Sequence, residues 1–189
     1  MNAPTNPKEL ELPTVEFKLD GKTIVSYEGE TILKAAKRHG IDIPHLCFKD
    51  GYRPDGNCRA CVVEINGERT LAPSCCRSAT PGMEVKANSE RAIKSQKLVL
   101  EMLLSDMPDE GFKWVGDSKA EEQKNQHGEL STWAARMDVT VRPELKALRR
   151  DKVSADISHP AMAVNLDACI QCNRCVRACR EEQVNDVIG

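Results

Sequence analysis

Alternating hydrophobic and polar positions predict short strands near the start of the chain. Residues 15–19 and 23–27 alternate on either side of Asp20-Gly21, a dipeptide that favours a tight hairpin turn. The segment ETILKAAKRHG then places apolar residues at helical spacing, and Gly40 stands where that helix should end. Further short strands are expected at residues 61–65, 69–72 and 83–86.

This order of elements predicts an α+β fold. A hairpin, a helix and a mixed sheet make a β-grasp domain, which we expect over residues 14–88, behind a flexible arm of residues 1–13. A helix that begins near Ser89 places Ile93, Leu100, Leu103 and Leu104 largely on one face, as a core-packing helix does. Residues 89–155 are otherwise rich in charge and are expected to form a helical connector, with short helical patterns at 130–137 and 144–149. In the last part, residues 156–189, the alternation of AMAVNL predicts a strand that leads into four cysteines.

Composition narrows the class of protein. The 189 residues are 40% hydrophobic and 30% charged, and apolar stretches such as LVLEMLL end well short of the ~18 residues that a membrane span requires. The N-terminus lacks the basic start and apolar core of a secretory signal, so a cytoplasmic location is expected. A net charge of -2 and an aromatic content of 4% argue against a nucleic-acid-binding surface.

The nine cysteines carry the chemistry of the sequence. In a reducing cytosol, clustered cysteines are metal ligands more often than disulfides. The first group contains Cys47, Cys58, Cys61, Cys75 and Cys76, with the spacing C-x10-C-x2-C-x13-C if Cys75 is the last ligand. Four thiolates suit a 2Fe-2S cluster, and Gly51, Gly56 and Asn57 allow the loop to aim backbone N–H groups at sulfur. A four-cysteine zinc site usually has two C-x2-C pairs, whereas only one is present, and five ordinary buried cysteines within thirty residues would be unusual.

The second group is the run CIQCNRCVRAC, from Cys169 to Cys179. Its spacing is that of 4Fe-4S ferredoxins, in which three cysteines bind one cluster and the fourth binds a neighbouring cluster. We therefore expect Cys169, Cys172 and Cys175 to share one 4Fe-4S cluster and Cys179 to serve another, at the start of a 4Fe-4S ferredoxin-like domain. No second run follows, so the ligand set is incomplete and we expect the chain to be the N-terminal part of a longer protein.

The stretch YRPDGNCRACVVEI resembles the N-terminal 2Fe-2S domain of three related protein families. They are the large iron–sulfur subunit of respiratory complex I, the diaphorase part of NAD-reducing hydrogenases, and NAD-dependent molybdenum formate dehydrogenases. The resemblance implies that Cys47, Cys58, Cys61 and Cys75 are the 2Fe-2S ligands and that Cys76 is a spare thiol.

In one respect this sequence differs from two of the three families, complex I and the hydrogenases. Complex I and the hydrogenases usually continue with a histidine and three closely spaced cysteines, whereas here no cysteine lies between Cys76 and Cys169. LLSDMPDEGFKW occupies the place of that motif and His127 stands alone, so no cluster is expected in residues 106–155. The segment that begins at Ser158 looks closest to the formate dehydrogenase α subunit, although Arg180 replaces the usual proline after the fourth cysteine.

The resemblance implies an electron-transfer module within an oxidoreductase complex. It would relay electrons between a molybdenum site and a flavin- and NAD-binding partner subunit, beside other iron–sulfur subunits. No catalytic residue is expected in this chain, and without a phosphate-cradling glycine motif it should bind neither NAD nor flavin. The alternatives are the diaphorase subunit of an NAD-reducing hydrogenase and a metal-stabilised binding module without a redox role.

Overall fold

A five-stranded mixed sheet forms the first part of the computed structural model, which describes residues 13–107, 128–147, 149–151 and 153–187. The strand order is β2-β1-β5-β3-β4, with β5 parallel to β1 and the other neighbours antiparallel. This is the mixed sheet that the sequence predicted. The strands are β1 (Thr14–Leu19), β2 (Lys22–Tyr27), β3 (Val62–Ile65), β4 (Ala72–Pro73) and β5 (Glu84–Lys86).

The predicted hairpin turn joins β1 to β2. Asp20 and Gly21 have φ angles of 50° and 82°, the left-handed conformation that a two-residue turn of this kind requires at both positions. The Asp20 carboxylate also accepts hydrogen bonds from the backbone N–H groups of Ala87 and Asn88, at 2.8 and 3.2 Å. The turn is therefore tied to the segment that follows β5.

Helix α1 (Ile32–Arg38) packs on the sheet through its apolar face. The Thr31 hydroxyl accepts a hydrogen bond from the Lys34 N–H at the start of the helix, and Gly40 ends it with a φ of 70°, as predicted. Ile32 and Leu33 are buried against inward-facing residues of the strands, including Phe17. The inward-facing residues of the alternating strands thus form one side of the core, and the apolar face of α1 forms the other.

A second group of buried residues includes two from the cysteine loop, Leu46 and Ala60, and we call it the loop-side core. Helix α2 (Glu90–Ser105) begins at Ser89, whose hydroxyl accepts from the Ala92 N–H at 3.2 Å, and it contributes the fully buried Leu100. Helix α3 (Glu129–Arg136) contributes Leu130. The members of the loop-side core are Leu46, Ala60, Leu100, Met107 and Leu130.

The remaining elements are short. Helix α4 (Pro143–Lys146) is followed by a hairpin of β6 (Asp156–His159) and β7 (Met162–Val164), and helix α5 (Arg174–Arg177) continues into a π-helical turn at Ala178–Glu182. No helix of the described residues is long and apolar enough to cross a bilayer.

Three local predictions need correction. The strand predicted at 69–72 is reduced to Ala72–Pro73, because only these two residues pair with β3, while Arg69 and Thr70 are exposed outside the ladder. The strand predicted at 161–166 is confined to Met162–Val164 and is followed by a 3-10 turn. Of the helical pattern predicted at 144–149, the described residues form the single turn of α4, in which Pro143 supplies the first position.

Candidate iron–sulfur site

The four cysteines predicted to bind a 2Fe-2S cluster lie on two neighbouring segments of the fold. Cys47 and Cys58 belong to the long loop between α1 and β3, and Cys61 directly precedes β3. Cys75 follows β4, which pairs with β3. The Ser74 hydroxyl and backbone N–H both donate to the Cys61 carbonyl, at 2.7 and 3.1 Å, so the two segments are fastened beside the sulfurs.

The structure brings these four thiols into one group. Cys47, Cys61 and Cys75 are each at most 1% exposed, and Cys58 is half-buried beside the loop-side core. The Cys47 thiol interacts with those of Cys58 and Cys75, and the Cys75 thiol interacts in turn with that of Cys61. All four sulfurs are therefore linked in a single chain of contacts.

These contacts alter the acidity of the thiols in opposite directions. Hydrogen-bonding interactions with the Cys58 and Cys75 thiols lower the pKa of Cys47 to about 2, and the interaction with Cys75 lowers the pKa of Cys61 to about 7. The pKa values of Cys58 and Cys75 are raised, because each keeps its proton to donate it and because burial disfavours the thiolate. These interactions thus favour the thiolate, the form in which cysteine binds metal, at Cys47 and Cys61.

Backbone N–H groups of the loop point at the sulfurs. The Cys47 N–H donates to the Cys58 sulfur at 3.4 Å, and the N–H groups of Asn57 and Cys58 stabilise the Cys47 thiolate. Left-handed φ angles at Gly56 (66°) and Arg59 (58°) shape this part of the loop. The glycine was predicted to take this role, whereas Arg59 was not, since a non-glycine residue with positive φ has no clear signature in sequence.

Cys76 differs from its neighbours in exposure. Its sulfur lies 3.5 Å from the Cys75 sulfur, but the residue is exposed, whereas Cys75 is fully buried. A Cβ added at Gly56 would meet the Cys76 sulfur at 3.0 Å, so the loop packs closely over this thiol. Cys76 thus borders the group of four without being enclosed in it.

The donor set fits a 2Fe-2S cluster in its chemistry. Four sulfurs in contact, three of them buried, with N–H groups aimed at two of them, provide the thiolate ligands and hydrogen-bond donors that such a cluster uses. Within the described ranges, no group of three or more histidine, cysteine, aspartate or glutamate side chains is arranged to hold a single metal ion.

The second cysteine run is more open. Cys169 and Cys175 are exposed, Cys172 is half-buried and Cys179 is buried. Two backbone N–H groups donate to sulfur at 3.4 Å, from Gln171 to Cys169 and from Val187 to Cys179. The exposed thiols do not form an enclosed group like the first one. His127, and with it much of the segment expected to lack a cluster, lies outside the described residues.

The two cysteine regions are in contact. Ile170 packs against the loop-side core, and the Asn57 side chain donates to the Gln171 carbonyl at 3.2 Å. Arg177 of α5 donates to the Cys47 carbonyl, next to the first group of thiols. Sequence analysis did not single out Arg177, because its partners lie more than a hundred residues away along the chain.

Comparison with known families supports the first site. Residues 13–90 match a family model described as a 2Fe-2S iron-sulfur cluster binding domain. In a solved structure, the crystal structure of NAD+-reducing [NiFe]-hydrogenase in the H2-reduced state, one chain is similar to this protein with a TM-score of 0.70 and 32% identity. That similarity covers 90% of this chain and 68% of the other.

Two curated relatives are subunits of different kinds of oxidoreductase. The NADP-reducing hydrogenase subunit HndD of Solidesulfovibrio fructosivorans is 38% identical over 90% of this chain and 28% of that protein. The mitochondrial NADH-ubiquinone oxidoreductase 78 kDa subunit of Candida albicans is 31% identical over 94% of this chain and 23% of that protein. The chain thus spans less than a third of the length of these relatives.

Proposed function

Because the chain belongs to the family of iron–sulfur proteins with a 2Fe-2S domain related to the complex I 78 kDa subunit and to NAD-reducing hydrogenase subunits, we propose that it transfers single electrons through a 2Fe-2S cluster. The proposed ligands are Cys47, Cys58, Cys61 and Cys75. The observation that carries this assignment is the single chain of contacts among four thiols, three of them buried.

The residues around the thiols have separate tasks in this proposal. The bound cluster supplies one-electron chemistry. The N–H groups of Cys47, Asn57 and Cys58 stabilise negative charge on sulfur, and the loop-side core keeps water from one side of the loop. Ser74 fixes the distance between the strand that follows Cys61 and the turn that carries Cys75. The chain itself would bind and orient the cluster and set the electrostatic environment around it.

We further propose that the whole protein is the α subunit of an NAD-dependent formate dehydrogenase in the cytoplasm. The chain would relay electrons between a molybdenum site and a flavin- and NAD-binding partner subunit. This proposal is supported by the absence of cysteine between Cys76 and Cys169, where complex I and hydrogenase subunits usually carry a further cluster motif. The run Cys169, Cys172, Cys175 and Cys179 would bind 4Fe-4S clusters, the first three residues one cluster and the fourth its neighbour.

A second candidate is the diaphorase iron–sulfur subunit of an NAD-reducing hydrogenase. The observations that favour it are the 38% identity to the hydrogenase subunit HndD and the structural similarity to an NAD+-reducing hydrogenase. In both candidates the 2Fe-2S site of this chain does the same work. They differ in the reaction that supplies or consumes the electrons.

Purification of the full-length gene product with its natural partners distinguishes the formate dehydrogenase from the hydrogenase diaphorase. The complex is isolated anaerobically through a tag, its metals are measured, and NAD reduction is assayed with formate and with hydrogen. Formate-dependent activity with bound molybdenum supports the dehydrogenase, whereas hydrogen-dependent activity with nickel supports the diaphorase. A protein whose clusters cannot be reversibly reduced would refute electron transfer altogether and favour a metal-stabilised binding module.

A further inference from the structure

Arg177 is a buried cation that joins the second cysteine run to the first. It lies at the end of α5, between Cys175 and Cys179, and is only 6% exposed. One guanidinium nitrogen, Nη1, donates to the Arg53 carbonyl at 2.6 Å, and the other, Nη2, donates to the Cys47 carbonyl. The side chain therefore reaches out of the helix and ends on the backbone of a proposed cluster ligand.

Among the described residues, Arg177 has an acidic partner only at the limit of ion-pair distance. Its Nε atom lies 4.0 Å from the Asp55 carboxylate, too far for a hydrogen bond, and is buried without a hydrogen-bond partner. The Tyr52 ring, 5.9 Å from the guanidinium carbon, adds a weak attraction. Arginine does not lose its proton in proteins, so a full positive charge stays in this desolvated position.

Burial of this charge has a free-energy cost that the Asp55 carboxylate offsets only in part, and further negative charge nearby would lower the cost. A 2Fe-2S cluster with four thiolates is negatively charged, and reduction adds one further negative charge without a compensating proton. A fixed cation beside Cys47 is stabilised by this charge, and it stabilises the reduced cluster more than the oxidised one.

We infer that Arg177 is a positioning residue that holds the second cysteine run against the 2Fe-2S site and raises the reduction potential of that cluster through its charge. The inference rests on the proposed function, since it needs a cluster at Cys47. The guanidinium fork gives the position, because it spans two backbone carbonyls at once. The charge gives the shift in potential. A lysine at this position can supply the charge but cannot span the two carbonyls.

The test is an EPR-monitored redox titration of the 189-residue chain, reconstituted anaerobically with iron and sulfide. Arg177→Gln removes the charge, Arg177→Lys keeps it, and Arg180→Gln is the matched control. Arg180 lies on the following turn but is exposed and paired with Asp186, so its replacement changes the net charge by the same amount at an exposed position. Iron and sulfide contents are measured first, so that only variants with an intact cluster are compared.

We expect Arg177→Gln to lower the reduction equilibrium constant of the 2Fe-2S cluster at least threefold, which is about 28 mV for a one-electron couple. Arg177→Lys should recover most of this loss, and Arg180→Gln should match the wild type. If Arg177→Gln loses the cluster, Arg177→Met, which fills the same space without charge, is titrated in its place.

Two results would overturn the inference while leaving the proposed function intact: an unchanged potential in the uncharged variants, or a potential in Arg177→Lys that falls as far as in Arg177→Gln. If the wild-type chain itself shows no reversible EPR signal, the proposed function fails first and this inference fails with it.

Discussion

Replacing Leu100 with alanine tests whether the loop-side core supports the cysteine loop. Leu100 is 0% exposed and packs with Leu46 and Ala60, which directly precede Cys47 and Cys61. Truncation of a fully buried leucine costs about 2–5 kcal/mol, through lost burial and the cavity that remains. Because neighbours from the loop and from two helices surround this side chain, little collapse is possible and we expect about 3 kcal/mol.

The assay is urea unfolding of the reconstituted chain under anaerobic conditions, followed by far-ultraviolet circular dichroism and by the visible absorption of the cluster. With a slope of about 2 kcal/mol per molar urea, the loss moves the midpoint down by about 1.5 M. Leu98→Ala is the matched control, since Leu98 lies on the same helix but is 46% exposed, and it should cost less than about 1 kcal/mol.

The visible absorption should disappear at or before the loss of helical signal in Leu100→Ala, because the cavity opens beneath two of the proposed ligands. Equal midpoints for the Leu100 and Leu98 variants would refute the reasoning. They would mean that contacts around Leu100 contribute no more to stability than those of an exposed position.

Two further substitutions probe the loop itself. Gly56→Ala should destabilise the chain more than Gly67→Ala, because both glycines have positive φ but only at Gly56 does the new Cβ meet another atom, the Cys76 sulfur at 3.0 Å. Combining Gly56→Ala with Cys76→Ala should recover part of the loss in urea midpoint, and no recovery would show that this contact is unimportant. Ser74→Ala removes a buried 2.7 Å hydrogen bond to the Cys61 carbonyl and should cost about 1 kcal/mol, measured in the same way; an unchanged midpoint would contradict the fastening role given to it.

Much of the sheet could be predicted because its signals are local. The Asp20-Gly21 turn, the alternation on either side of it and the stop at Gly40 each depend on neighbouring residues alone. Cysteine spacing likewise predicted that four thiols form one group, and the structure brings Cys47, Cys58, Cys61 and Cys75 into contact. In each case the residue type itself constrains the backbone or the chemistry.

The features that sequence analysis missed depend on contacts between separate elements of the fold. Residues 89–155 read as a charged connector, yet α3 buries Leu130 against Leu46, a contact that no local pattern reveals. Strand β6 has four exposed residues and hence no hydrophobic alternation; it forms because it pairs with β7. Nothing in the neighbouring sequence distinguishes Arg177 from other helical arginines, because its role depends on its contact with the Cys47 carbonyl. In all three cases, pairing or packing with another element outweighs the local pattern.

Cysteine-to-serine substitution at two adjacent positions tests the central assignment most directly. Cys75 is buried within the group of four thiols, and Cys76 is exposed at its edge, so the chain provides its own matched control. Each variant is purified anaerobically and compared with the wild type by visible absorption and by EPR of the reduced protein. We expect Cys76→Ser to keep both 2Fe-2S signals and Cys75→Ser to lose or alter them. Loss of the signals in Cys76→Ser with retention in Cys75→Ser would contradict it.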